Sequence, residues 1–334
     1  MPVDRPDPAD DPDQSVHRGL PDGPQRQDGR QPPDGPGSTD DAPLPLDPAQ
    51  SDAVHRAHRA LVAQAHAAHR ESTHDGTHGA AVDTDRRGSW AEALPSLRAA
   101  WEEHENRYPE RERATPRTHT DGSWSSGDTR RLSPEQNAEA TKACADIHDE
   151  GERVVFPVML QIEAADPNRR LAGLQHMLKG VDRLKEKIAE RLRYNPDLSP
   201  RQAAADVPDA VRFTLAYSNS HYTDGALADV ERLQRAGYQL LKLKNLWAKD
   251  QYKGINSQWV RPETGLRFEV QFHTSQSREA KELTHQAYER LRDPLTTRTE
   301  ETELEVYQRR VNAFVERPPD VFRIEDYPPE KRDG

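Results

Sequence analysis

Residues Phe268-Glu269-Val270-Gln271-Phe272-His273-Thr274 alternate apolar and polar side chains over the length of a strand. In an extended chain this puts Phe268, Val270 and Phe272 on one face and Glu269, Gln271 and His273 on the other. The first face packs a sheet onto a core. The second is too polar to be buried idly and is read as the lining of a cleft. A carboxylate between polar neighbours on such a face suits a metal ligand or a proton acceptor. His285 and Tyr288-Glu289 follow close behind.

Working outward, Ala210–Tyr217 reads as another strand. A helix is expected at about 225–236, ending at Gly237, then strands at Tyr238–Leu246 and Asn256–Arg261. Glu263-Thr264-Gly265 turns the chain back into the strand carrying Glu269. Helices are expected at about 276–291 and 298–315 after the sheet. Before it they are expected from Ser133-Pro134 to about 150, at 154–165, and at about 170–193, closed by Asn195-Pro196. Helices, then strands, then helices predict an α+β (mixed α/β) fold with a mixed five-stranded sheet flanked by helices.

The 334-residue chain is polar: 33% of residues are hydrophobic and 31% charged. The shortage of apolar residues is localised. No aromatic residue precedes Trp90, and residues 1–50 hold 12 of the 27 prolines. Such a segment cannot bury enough apolar surface to offset its ordering entropy. Residues 1–131 are therefore read as a disordered, low-complexity leader with short helices near 53–70 and 89–107 and a linker at 109–132. Residues 132–320 are read as the folded domain and 321–334 as a polar tail. His55, His58, His66 and His69 on the 53–70 helix have a metal-compatible spacing but no acidic or cysteine partner, so they read as a solvated face. The net charge of −11 owes much to aspartates in the leader. Cys144 is the single cysteine, which excludes an intramolecular disulfide. No apolar run reaches membrane-spanning length and the acidic start is no signal peptide, so a cytoplasmic location is expected, with signal-independent export open.

Three groups of residues carry chemistry. Lys179, Arg183 and Lys187, four apart, would stack on one helix face. Three stacked cations call for an anion such as a triphosphate, unless Glu186 and Glu190 neutralise them. Asp209 and Arg212 have opposite strand parity, so both serve one site only if Asp209 lies before the strand begins. Asp209 could then ligate a metal, and Arg212 could stack on a base or pair with Asp206 or Glu269. Lys244-Asn245 and the basic loop Lys249–Ser257 place Lys253, Gly254 and Asn256 where backbone and side chains can approach a phosphate. No Walker loop and no His-Glu-x-x-His motif occurs, which excludes a P-loop site and that type of zinc hydrolase.

Taken together, residues 175–292 resemble the RelA/SpoT-type alarmone synthetase domain, which transfers pyrophosphate from ATP to the 3′-hydroxyl of an acceptor nucleotide. Lys179, Arg183 and Lys187 match its basic helix motif, with Arg183 where the family has Ser. Arg212 matches its strand Arg, Gly254-Ile255-Asn256-Ser257 its Gly-Tyr-x-Ser loop, Glu269-x-Gln271-x-x-Thr274 its acidic strand, and His285 its later histidine. The resemblance implies Mg²⁺ held by Asp209 and Glu269, phosphates held by Lys179, Arg183 and Lys187, and adenine stacked on Arg212. It also implies an acceptor handled by Gln271 and His273, with Lys244, Lys253 and Asn256 nearby and Glu269 as an alternative base. Met177, Val207 and Ile255 depart from the family's adenine clamp, its acid and its acceptor-stacking Tyr. The acceptor is therefore open: GDP or GTP, an adenine nucleotide, or the 3′ end of tRNA. Divergent members of this kind include toxins. A catalytically silent nucleotide- or partner-binding module is the other reading.

Overall fold

A computed structural model describes residues 89–111, 114–127 and 129–329. Residues 1–88, which include the Pro-rich stretch and the expected helix at 53–70 with its four histidines, and the last five residues lie outside the described residues.

The chain is α+β. Its sheet has five strands in the order β4-β5-β8-β7-β6: β4 Arg169–Ala172, β5 Arg212–Tyr217, β6 Gln239–Asn245, β7 Ile255–Val260 and β8 Arg267–Thr274. Only β5 and β8 run parallel, and the other neighbours are antiparallel. Register sorts the faces. Arg212 lies across from Glu269, Thr214 from Gln271, and Asn256 from Gln271, so these share the polar face. Phe213, Phe268, Val270, Phe272 and Trp259 take the other face and are essentially inaccessible. Phe156 stacks on Phe213, and Tyr222 donates its hydroxyl to the Phe272 carbonyl. Each such ring contributes about 1.5–3 kcal/mol through burial, so the alternation at 268–274 commits the sheet to one orientation.

Two expected boundaries move. The basic helix predicted at 170–193 begins at Val181, as α4 Val181–Tyr194. Arg169–Ala172 instead forms the edge strand β4, because the Arg169 side chain has a buried destination. It pairs with Asp229 at 3.1 Å, and Tyr217 donates to the same carboxylate at 2.7 Å. The stretch read as a linker contains strands β1 Arg117–Thr118, β2 Trp124–Ser126 and β3 Arg130–Leu132. Trp124 is buried against α2 Pro134–Glu150 and α4, and its indole donates to Asp182 at 3.1 Å.

Helix α2 starts as its sequence dictates, with Ser133 and Gln136 forming a reciprocal cap around Pro134. It runs through a π turn at Gly151–Val155 into α3 Phe156–Ala164. Pro157 lacks the N–H that would bond the Arg153 carbonyl, which accounts for the irregular turn beside it. Gly151 lets this turn press on the start of β5: a Cβ there would lie 2.8 Å from Val211.

The remaining helices are α1 Trp90–Arg107, α5 Pro200–Ala205, α6 Tyr222–Arg235, α7 Ser275–Leu291 and α8 Arg298–Asn312. Helix α1 docks on α7 and α8 through Trp90 to Glu279 (2.7 Å), Trp101 to Gln286 (2.8 Å) and Arg107 to Glu303 (2.9 Å). The segment expected as the start of a polar tail has a structural role. Val321 and Ile324 are buried, and Tyr327 exchanges backbone hydrogen bonds with Leu243, covering the outer edge of β6. Among the described residues, no helix is long and apolar enough to cross a membrane.

Candidate active site

The site is built where the start of β5, the polar face of β8 and helix α7 meet. Asp209 belongs to the short 3-10 turn Pro208–Ala210 that precedes β5. It therefore escapes strand parity and can serve the same site as Arg212. The chain just before α4 runs antiparallel to this turn: Leu178 bridges Val211, Lys179 N bonds the Ala210 carbonyl at 3.0 Å, and Arg212 N bonds the Met177 carbonyl at 2.7 Å. This pairing brings the Lys179 ammonium to 2.6 Å from Asp209 Oδ2. The other oxygen, Asp209 Oδ1, is buried and has no hydrogen-bond partner.

Glu269 lies beside them, buried on β8. Burial raises its pKa above the ordinary carboxylate value. The Arg212 charge opposes that rise, and the negative Asp209 adds to it. Gln271 Nε2 donates to Glu269 Oε1, and Lys281 Nζ donates in turn to Gln271 Oε1. Lys281 projects from α7. Burial, and then Arg212, lower its pKa to about 8 against the opposing pull of Glu269. Two carboxylates and three cations, Lys179, Arg212 and Lys281, thus share one neighbourhood with a central amide relay. His285, one turn beyond Lys281, is exposed at the rim. Partial burial of its ring lowers its pKa, as do Lys281 and Arg212, against the raising effect of Glu289.

Several expected site residues sit differently. Lys179 is not part of a helical row with Arg183 and Lys187. Gly180 caps the helix, and Lys179 precedes it in the extended segment paired with Val211. Arg183 is half-exposed, 2.9 Å from Glu186 on its own helix and 3.9 Å from Glu289 on α7. Lys187 is half-buried on the same helix. Lys244 is paired with Asp326 at 3.0 Å, because the segment over β6 supplies that carboxylate. Lys253 bonds the Trp247 carbonyl at 3.1 Å and the Lys249 carbonyl, inside its own loop.

His273 is fully buried, and both ring nitrogens are committed, Nδ1 to Ser277 Oγ and Nε2 to the Tyr252 hydroxyl, each at 2.9 Å. The Tyr252 hydroxyl also donates to Asn256 Oδ1 at 2.9 Å. Burial holds this imidazole neutral, well below its usual pKa. His273 is a structural link, and what it presents toward the site is Tyr252 and Asn256. The sequence reading passed over Lys281. Its signal was a lysine among the small buried residues Ser277, Ala280, Thr284 and Ala287, on the face of α7 that meets the sheet.

Asp209 Oδ1 and Glu269 fit a hard divalent cation. A buried carboxylate oxygen without a donor is costly to leave unmatched, and Mg²⁺ typically takes one or two carboxylates plus water and phosphate oxygens. Among the described residues, no group of three or more His, Cys, Asp or Glu side chains is placed to hold a metal without such help.

The chain is similar to solved pyrophosphokinase structures. A GTP pyrophosphokinase family protein from Streptococcus pneumoniae aligns at 12% identity and TM-score 0.36, over 55% of this chain and 90% of that one. Small alarmone synthetase 1 from Bacillus subtilis, bound to its product pppGpp, aligns at 11% and 0.34, over 54% and 92%. Small alarmone synthetase 2 from the same organism aligns at 14% and 0.33, also over 54% and 92%. No family model matches the sequence, and no curated protein does.

Proposed function

We propose that this chain transfers pyrophosphate from ATP to the 3′-hydroxyl of an acceptor nucleotide, with Mg²⁺. One observation carries the reading: two neighbouring buried carboxylates, Asp209 and Glu269, are ringed by Lys179, Arg212 and Lys281. Phosphoryl-type transfer needs alignment and charge neutralisation more than covalent help, and this set provides both. Lys179 and Lys281 would turn to phosphate oxygens, and Arg183 and Lys187 on α4 would extend the cationic wall. Arg212 would offer its guanidinium plane to adenine. Asp209 and Glu269 would hold the metal, which when bound neutralises charge on the phosphates.

Gln271 orients Glu269, and Lys281 orients Gln271, so the carboxylate is fixed before substrate arrives. The upward pKa shift of Glu269 also makes it a better proton acceptor than an exposed carboxylate, so it could take the proton of the attacking hydroxyl. Tyr252 and Asn256 would contact the acceptor where His273 was expected to. His285 at the rim, largely neutral at pH 7, can donate or accept a hydrogen bond.

A second reading, a catalytically silent nucleotide-binding module, is favoured by the burial of Met177 and Ile255. Neither can present a stacking face to a base. The two readings separate on incubating the full chain with ATP, Mg²⁺ and, in turn, GDP, GTP, adenine nucleotides or tRNA, and measuring AMP release. Transfer predicts AMP with one of these acceptors. It also predicts a fall of about 10²-fold or more in Glu269→Gln, with unchanged circular dichroism. Undiminished turnover in that variant rejects the assignment of Glu269, and nucleotide binding without AMP supports the silent module.

A further inference from the structure

Tyr252 and Lys253 are consecutive and point apart. Tyr252 reaches His273 and Asn256, whereas Lys253 enters a separate cavity of about 540 Å³. The cavity lies between the loop before β7 and the end of α8, so it uses residues 309–317, beyond the stretch that resembles the synthetase domain. Lys253, Arg309 and Arg317 face it, with Trp247 and Val315 supplying apolar wall and Asp250 the one acid.

The cations are poorly matched. Lys253 bonds backbone carbonyls, and Arg317 lies over the Phe322 ring, 5.4 Å from its centroid. Neither forms an ion pair with a carboxylate among the described residues. Arg309 is paired with Glu305 at 2.6 Å, but both are solvent-exposed on one helix, where such a pair is worth about 0.3–0.5 kcal/mol and is readily exchanged. Two features oppose an anion: Asp250, and the C-terminus of α8 with about half a negative charge. Three cations outweigh them. The volume is that of a small-molecule site.

We propose that this cavity is a second anion site that takes a compact polyphosphate group, such as the triphosphate of a nucleotide, on Lys253, Arg309 and Arg317. It is distinct from the Glu269 site and independent of whether that site is catalytic.

The test is calorimetric titration of the full chain with inorganic tripolyphosphate at fixed ionic strength. It is run in a Lys179→Ala background that weakens the Glu269 site. The expected result is one equivalent bound by Lys179→Ala, and affinity at least tenfold weaker in Lys179→Ala/Arg317→Glu. Arg317 is exposed, so the fold should tolerate the change, and equal urea midpoints would verify it. No binding by Lys179→Ala, or equal binding by both proteins, overturns the proposal. A Lys253→Met variant in the same background should weaken binding in the same direction, and unchanged binding there also counts against it.

Discussion

Replacing Lys281 with methionine should alter how stability depends on pH. The Lys281 amine donates to Gln271 and lies near Arg212 in a crowded, poorly hydrated place. Burial first, and Arg212 second, lower its pKa from 10.5 to about 8. In the unfolded chain the amine returns to the ordinary lysine value. Between the two values the unfolded state therefore holds more protons than the native state, and native stability rises with pH. From pH 8 to pH 10 the difference approaches one proton. At about 1.36 kcal/mol per pH unit, this amounts to a gain of about 2–3 kcal/mol. Methionine has a similar length and no proton to lose, so Lys281→Met lacks this gain. Urea unfolding of both proteins at pH 7, 8, 9 and 10, followed by tryptophan fluorescence, measures it. Tyrosines and Cys144 titrate in both proteins and cancel in the difference. The wild-type-minus-variant stability should climb by about 2–3 kcal/mol across that range. Parallel curves would mean that the amine is hydrated, and the relay from Lys281 through Gln271 to Glu269 would then be refuted.

Two further substitutions test the frame of the site. In Gly254→Ala the new Cβ would lie 2.7 Å from His273 Cε1 and 3.2 Å from the Phe272 carbonyl, against a ring fixed at both nitrogens. The urea midpoint should fall by the equivalent of about 1–3 kcal/mol, and an unchanged midpoint would show that the ring is free to move. Asp229→Ala removes the buried carboxylate from the Arg169 guanidinium, leaving it only the part-exposed Asp166 at 3.4 Å, and should cost about 3–5 kcal/mol. Tyr217→Phe, which leaves Asp229 paired with Arg169 and Arg232, should cost less. Equal losses for the two would mean that the buried ion pair is worth no more than the tyrosine hydrogen bond.

The strand at 268–274 was legible because a two-residue period is a local signal: either the phenylalanines face the core or the whole strand is misplaced. The polar face of the sheet, and the position of Asp209 ahead of its strand, follow from the same rule. What failed was local reading of non-local pairing. Lys179, Arg183 and Lys187 have helical spacing, but Gly180 and the bridge from Leu178 to Val211 take Lys179 out of the helix and set it against Asp209. Arg169–Ala172 has the composition of a helix start. It becomes a strand because Asp229, sixty residues on, neutralises Arg169 in the interior. The strands at 117–132 are two or three residues long in a Ser, Thr and Gly background, and only Trp124 and Leu132 there are large apolar side chains that demand burial. The basic composition around Lys244 and Lys253 does not say where each amine goes. Lys244, near the end of β6, turns to Asp326, a distant partner that no local pattern reveals.

These non-local partners also decide how much of the chain the site needs. Lys281 and His285 both project from α7, and their placement depends on how firmly that helix is held against the sheet. At its start, Thr274 and Ser277 cap one another, and Ser277 also bonds His273, tying the helix to the end of β8. On its outer side, α1 grips it at two points, Trp90 on Glu279 and Trp101 on Gln286. These bracket Lys281 and His285 in sequence. Arg290, in the last turn of α7, bonds the Tyr108 carbonyl and Glu300. Each contact is modest, about 1 kcal/mol net for a neutral hydrogen bond and about 1.5–3 kcal/mol where a charged group takes part, but together they fix translation and rotation of one helix. Residues 90–108, read from sequence as part of a leader, are therefore part of the frame that positions the amine beside Gln271.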